Sequence, residues 1–199
     1  MTHGHDSAIS ARPLANTRSA MGVPTGRLGV WWVLASEIVI FGGLLGAYIM
    51  HRIGHPAWAN QAINTNMWAG AFNTLVLLSS SLSAVLAHQA AERGDGPRAA
   101  NLLRLTTLGG LVFLIVKSFE WTHEIREGFT ITSNLFWSFY YTAAGLHGLH
   151  VIAGMVIMLI VSHRAAKNQD LHRVENIGIY WHFVDVVWIF LFPLLYIAK

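Results

Sequence analysis

The residues able to do chemistry in this 199-residue chain lie inside its apolar runs. The run Tyr180–Trp188 holds His182 and Asp185, three residues apart and so one turn apart on one helical face. Glu37 sits in Ser36-Glu37-Ile38-Val39-Ile40-Phe41; Lys117 and Glu120 are three apart, positioned to pair across one turn; His147 and His150 are three apart and flanked by Gly145 and Gly148. An ionisable group at the centre of a bilayer costs about 2.5–3.5 kcal/mol, so each of these must face protein or a cavity. Three chemistries compete for them. Haem ligation needs nitrogens on opposite sides of a plane, so His147 and His150, on one face, would need a partner from another helix, with His182 the main candidate. A Glu–His–Asp set can relay protons. The third reading is plain packing, in which the polar groups bond across helices and fix the register of a bundle. With no cysteine, disulfides, thiolate metal sites and cysteine nucleophiles are excluded.

The elements that position these residues follow from hydropathy. Charged residues are 12% of the chain against about 25% in soluble domains, and mean hydropathy is +0.46, so this is a membrane protein. Five runs reach the roughly 20 apolar residues a helix needs to span: Leu28 to Met50, Met67 to Ala87, Leu102 to Thr122, Leu135 to Val161 and Ile177 to Ala198. Several tryptophans fall near the ends of these runs, as interfacial anchors do. Short polar loops join the runs, no internal repeat is visible, and the predicted fold is an all-α bundle of five transmembrane helices. Residues 28–199 form the membrane domain and residues 1–27 a cytoplasmic tail, in which His3 and His5 are at most a weak metal site.

Charge bias predicts the orientation. With the N-terminus inside, the inner segments carry Arg12, Arg18, Arg27, Arg93, Arg98, Arg104, Arg164, Lys167 and Arg173, and the outer ones Arg52, Arg126 and Lys199. The C-terminus is then outside. At 1.5 Å per residue, Glu37, His150 and Asp185 fall roughly 14, 16 and 12 Å from the inner ends of their spans. This predicts one polar layer of Glu37, His147, His150, His182 and Asp185, with Gly145 and Gly148 admitting a neighbouring helix closely. Arg27, His88, Arg93, Glu120 and Glu175 are candidate lipid or interface residues. The cations are thinly spread, without a basic stripe, which argues against nucleic acid as a partner.

Several stretches taken in order resemble subunit III of the haem–copper oxidases, over nearly all of Leu28 to Lys199. They are Ser36-Glu37 with Phe41; Asn73-Thr74-Leu75-Val76-Leu77-Leu78 leading to Ala87-His88; Phe119-Glu120-Trp121; Gly145-Leu146-His147-Gly148-Leu149-His150-Val151; His172 with Glu175; and Tyr180–Trp188. The resemblance implies an accessory subunit of a proton-translocating, cytochrome-c-oxidase-type complex in a bacterial inner membrane. It implies no catalytic, cofactor or metal residue in this chain. Haem and copper would lie in partner subunits I and II, with a small subunit IV as a further candidate partner. Bound phospholipid is a candidate ligand, and support of proton uptake and of subunit I stability the expected role. Glu37 would be the family's intramembrane carboxylate, with His147, His150, His182, Asp185 and Glu175 matching its other polar positions.

The chain also departs from that pattern. It has five spans rather than seven, Lys117 stands where glutamine is usual, and Ser133-Asn134 replaces an Asp-Gly turn. Lys117, Glu120-Trp121, Asn134 with Phe139-Tyr140-Tyr141, and Phe192-Pro193-Leu194-Leu195-Tyr196 are similar to subunit-III relatives associated with nitric oxide reductases. Such a partner enzyme is the alternative reading, as is quinol rather than cytochrome c as the donor.

Overall fold

A computed structural model describes residues 25–54 and 58–197. Six α-helices follow one another: α1 (Thr25–Gly54), the short α2 (Trp58–Ala62), α3 (Met67–Glu92), α4 (Gly96–Arg126), α5 (Leu135–Ala165) and α6 (His172–Phe192), which runs into a π-helical turn at Pro193–Ile197. The five long helices, the last with its π turn, are each long and apolar enough to cross a membrane. The expected five spans are therefore present, and they are longer than the apolar runs alone. α4 begins at Gly96 rather than Leu102 because Asp95 caps it, accepting from the Arg98 N–H at 3.1 Å, with Pro97 in the first turn. Asn66 and Asn134 cap α3 and α5 the same way. The tail with His3 and His5 lies outside the described residues.

Glycine ends two of the helices. Gly94 and Gly128 have φ of 76° and 89°, a region that favours glycine. The residue after each donates its N–H back over the helix end, Asp95 to the Ala90 carbonyl and Phe129 to the Glu124 carbonyl, both at 2.9 Å. The π turn follows from Pro193, which has no N–H to continue the α pattern. The Leu194 carbonyl within this turn accepts from the Tyr48 hydroxyl of α1 at 2.8 Å.

α3 packs most extensively on α4, and α6 lies across α3 and α5. α1 rests on α6 and touches α5 only lightly, leaving Trp31, Trp32, Ile38 and Val39 exposed. The α3–α4 turn and the α5–α6 loop share one side, where the Asn168 side chain accepts from the Gly96 N–H at 2.9 Å. α2 and the α4–α5 loop share the other, where Gln61 accepts from both Asn134 and the Trp137 indole at 3.2 Å. These are called the Gly96 side and the α2 side below.

The close approaches lie elsewhere than expected. A Cβ on Gly145 or Gly148 would meet only Trp121 at 3.6 Å and Leu114 at 3.9 Å, ordinary contact distances. Among the tight positions are Gly96, where a Cβ would come within 2.1 Å of the Ala165 carbonyl, Gly109, within 2.6 Å of Ser80, and Gly110 and Gly154, which hold the Trp181 ring between α4 and α5. The bulk of this buried indole decides where small residues are needed. Its N–H donates to Ser80 at 3.1 Å.

Candidate functional site

The intramembrane polar residues fall into separate groups rather than one layer. Glu37 of α1 reaches α5, its Oε2 lying 2.9 Å from His150 Nε2 without the alignment of a hydrogen bond. The other ring nitrogen, Nδ1, lies 2.8 Å from the Leu146 carbonyl, which can only accept, so Nδ1 carries a hydrogen. A carboxylate and a bare ring nitrogen at 2.9 Å would repel each other. A proton on either group removes that repulsion, giving a carboxylic acid facing neutral imidazole or a carboxylate facing imidazolium. The pair is neutral in both forms.

His182 turns away from that pair: its Nδ1 lies 2.5 Å from the Ser81 hydroxyl of α3. His147 is fully buried, stacked on Trp188 with ring centroids 5.2 Å apart and edge-on to Phe113 at 5.3 Å; neither ring nitrogen has a hydrogen-bond partner. Asp185 is buried beside that same Ser81 hydroxyl, which turns to His182 and leaves both carboxyl oxygens without a hydrogen bond. Among the described residues no hydrogen bond joins His147, His182 or Asp185 to the Glu37–His150 pair. The equal depths put these groups at one level, but each helix's rotation turns them toward different neighbours. Nor do the three histidines converge, and among the described residues no cluster of three His, Asp or Glu is placed to hold a metal ion.

The most connected polar group was read from sequence only in part. Lys117 and Glu120 pair at 3.0 Å as their spacing predicts, and Lys117 also donates to Tyr140 of α5 at 2.8 Å and to Tyr196 of the π turn. Tyr140 Oη further lies 3.1 Å from Glu120 Oε1 and 2.9 Å from Glu124 Oε1. All five side chains are buried. Glu120 is thus an internal ion-pair partner, not a surface contact, because helix α4 turns it inward with Lys117. Glu124 went unnoticed; its place one turn past Glu120 was the available signal.

The Gly96 side is ionic and exposed. Arg27 pairs with Glu175, joining the start of α1 to α6. His88 lies 3.4 Å from Glu92 one turn on, and Arg93 forms the C-cap of α3. In the α5–α6 loop a 2.7 Å hydrogen bond from Arg164, aided by Arg173, holds the Asp170 carboxyl below its ordinary value.

The family model described as "Cytochrome c oxidase subunit III" matches residues 14–199. The chain belongs to the cytochrome c oxidase subunit III family. Among its relatives, "Cytochrome c oxidase subunit 3" of Corynebacterium diphtheriae is 35% identical over 83% of this chain and 84% of its own length. The protein of that name from Thermostichus vulcanus is 34% identical over 85% and 86%. "Probable cytochrome c oxidase subunit 3" of Mycobacterium leprae is 34% identical over 97% and 96%. As a subunit III, the chain is a multi-pass membrane protein that forms part of an oxidase complex with other subunits.

Proposed function

We propose that this chain is the accessory subunit III of a bacterial terminal oxidase of the inner membrane, packed beside subunits I and II and holding no haem or copper itself. A small subunit IV would complete the set. The observation that carries the reading is the Glu37–His150 contact: a carboxyl and an imidazole from two helices face each other at 2.9 Å within the spanning segments. A group of that kind suits support of proton uptake by a neighbouring subunit. With N-terminus in and C-terminus out, the Gly96 side is the proton-uptake side, as the positive-inside count implies.

Lipid binding has its own support. A cavity of about 670 Å³ separates α1 from α5 and α6, lined by Gly26, Val33, Ile157, Ile160, Ile177 and Tyr180. His172 and Arg173 border it at the end where Arg27 and Glu175 close the gap. Apolar walls under a rim of ion-paired arginines suit a phospholipid with its headgroup on the Gly96 side.

The test is purification of the complex through a tag on this chain. The expected result is co-elution with subunits that carry the optical spectrum of a haem–copper oxidase, and oxygen consumption that declines during turnover when the chain is removed. Elution of the chain alone, or turnover indifferent to its removal, refutes the reading. Of the residues that carry the nitric oxide reductase alternative, Lys117, Tyr140 and Tyr196 form one bonded set. Nitric oxide consumption by the co-purified enzyme would decide for that partner, and oxidation of cytochrome c or of quinol would name the donor.

A further inference from the structure

The hydrogen bonds around Tyr140 are one proton short. Lys117 Nζ has three neighbours, Glu120 Oε2, Tyr140 Oη and Tyr196 Oη, which use the three hydrogens of an ammonium. Tyr140 Oη then faces the Tyr196 hydroxyl at 3.1 Å, whose hydrogen can turn to Glu120, and two carboxylate oxygens, Glu120 Oε1 at 3.1 Å and Glu124 Oε1 at 2.9 Å. A phenol has one hydrogen and can donate to only one of them. The other would set an anionic oxygen against a lone pair in a buried site. Both contacts are satisfied when one carboxyl is itself protonated and donates to Tyr140, which passes its own hydrogen to the second carboxylate.

The surroundings decide which carboxyl that is. Glu120 has the ammonium on its Oε2 and is the anion. Glu124 is 2% exposed, and its Oε2 has no hydrogen-bond partner. The groups facing it are Lys117, Glu120 and His123 on α4, Tyr140 and Tyr141 on α5, and Tyr196 on the π turn. None supplies a second cation inside the cluster: His123 is an exposed side chain turned to Glu127 at 3.3 Å, and Tyr141 gives its hydrogen to the Phe129 carbonyl at 2.8 Å. With a proton on Glu124 the cluster is neutral; without it, one net negative charge is buried.

Glu124 also has a route to water. A cavity of about 270 Å³ lies against it, lined by Asn64, Asn66, Glu120, His123 and Glu124. At about 30 Å³ per molecule it has room for several waters. We propose that Glu124 is a proton-binding site that exchanges with the aqueous phase on the α2 side through this cavity, its charge state fixed by Lys117, Glu120 and Tyr140. It faces the opposite side from the rim of Arg27 and Glu175, and it stands whichever enzyme the chain assembles with.

The experiment is infrared difference spectroscopy on the purified complex, stepping the pH upward in H₂O and in D₂O. The wild type is expected to lose one carboxylic acid C=O band, shifted in D₂O; Glu124→Gln should lack that band and Glu37→Gln should keep it. Absence of the band from the wild type, or its survival in Glu124→Gln, overturns the proposal. So does a band that responds to sodium concentration at fixed pH, which would make a metal cation the occupant. If Glu124→Gln does not assemble, the wild-type complex in vesicles of known orientation decides. A pH step on the α2 side should move the band at once, and a band that answers only to the Gly96 side refutes the route.

Discussion

Replacing Lys117 by glutamine tests whether the buried ion pair is held by charge or by shape. The substitution removes an ammonium that is 4% exposed and leaves Glu120, 6% exposed, facing an amide. Breaking a buried pair by removing one partner costs about 3–5 kcal/mol, because the remaining charge stays in a poor solvent. The penalty has a ceiling, since Glu120 can take up a proton instead. Neutralising a glutamate of ordinary pKa about 4.3 at pH 7 costs about 3.7 kcal/mol, at about 1.4 kcal/mol per pH unit. The expected loss for Lys117→Gln is therefore about 3–4 kcal/mol at pH 7.

The sign with pH follows from the protons bound. In the variant the folded state holds one more proton, on Glu120, than the unfolded state does, so its stability rises as pH falls. The gap to wild type should narrow by about 1.4 kcal/mol per pH unit between about pH 7 and pH 5. The double variant Lys117→Gln with Glu120→Gln should recover most of the loss at pH 7 and show no such slope. Detergent-induced unfolding followed by tryptophan fluorescence suits the assay, because Trp121 and Trp188 lie beside the ammonium, their ring centres 5.8 and 5.7 Å from it. A loss below about 1 kcal/mol at pH 7, or one that stays flat with pH, would show that packing rather than charge sets the cost.

Other substitutions probe the remaining contacts. Glu37→Gln should leave the subunit in the complex, since the side chain's volume is kept, while lowering turnover over successive cycles; loss of the subunit from the purified complex would contradict this. Gly96→Ala should cost about 1–3 kcal/mol, because the new Cβ would sit 2.1 Å from the Ala165 carbonyl. Gly42→Ala, with nothing within 4 Å, should instead stabilise by about 0.5–1 kcal/mol, and thermal melting would separate the two. Asn134→Ala should cost about 1 kcal/mol by removing the α5 cap. Asp170, held below its ordinary value first by Arg164, contributes stability present above its unfolded pKa of about 3.9 and lost as pH falls through the lower folded one. Asp170→Asn should flatten that part of an acid titration.

What could be read from the sequence divides along physical lines. Span number, the Lys117–Glu120 pair and the meeting of Glu37 with α5 follow from hydropathy, from spacing within a helix and from depth along it, all of which are one-dimensional quantities. Rotation about the helix axis is not, and that is where the reading failed. His182 and Asp185 are near the depth of Glu37, yet His182 faces Ser81. Gly145 and Gly148 look like packing glycines by their spacing, while close contacts form at Gly109 against Ser80 and at Gly110 and Gly154 around Trp181, pairings between helices that no spacing within one helix reveals. The extra length of α4 was missed because its first turn is polar, and a hydropathy window does not weigh an Asp95 cap followed by Pro97.

The two protonatable groups share a construction that explains why they tolerate the membrane. At Glu37 the partner is an imidazole whose Nδ1 hydrogen is committed to the Leu146 carbonyl. At Glu124 it is a phenol already claimed by an ammonium and a second carboxylate. In each case a side-chain donor is committed first, and the geometry then leaves room for one further proton that makes the group neutral. A bare carboxylate would be expensive at either place. A carboxyl that must hold a proton to satisfy its neighbours avoids that cost at rest and changes net charge when the proton leaves. His147, sealed between Phe113 and Trp188 with neither ring nitrogen bonded, belongs to packing, whereas Asp185 lies beside the Ser81 hydroxyl that holds His182 and so belongs to the α3–α6 contact.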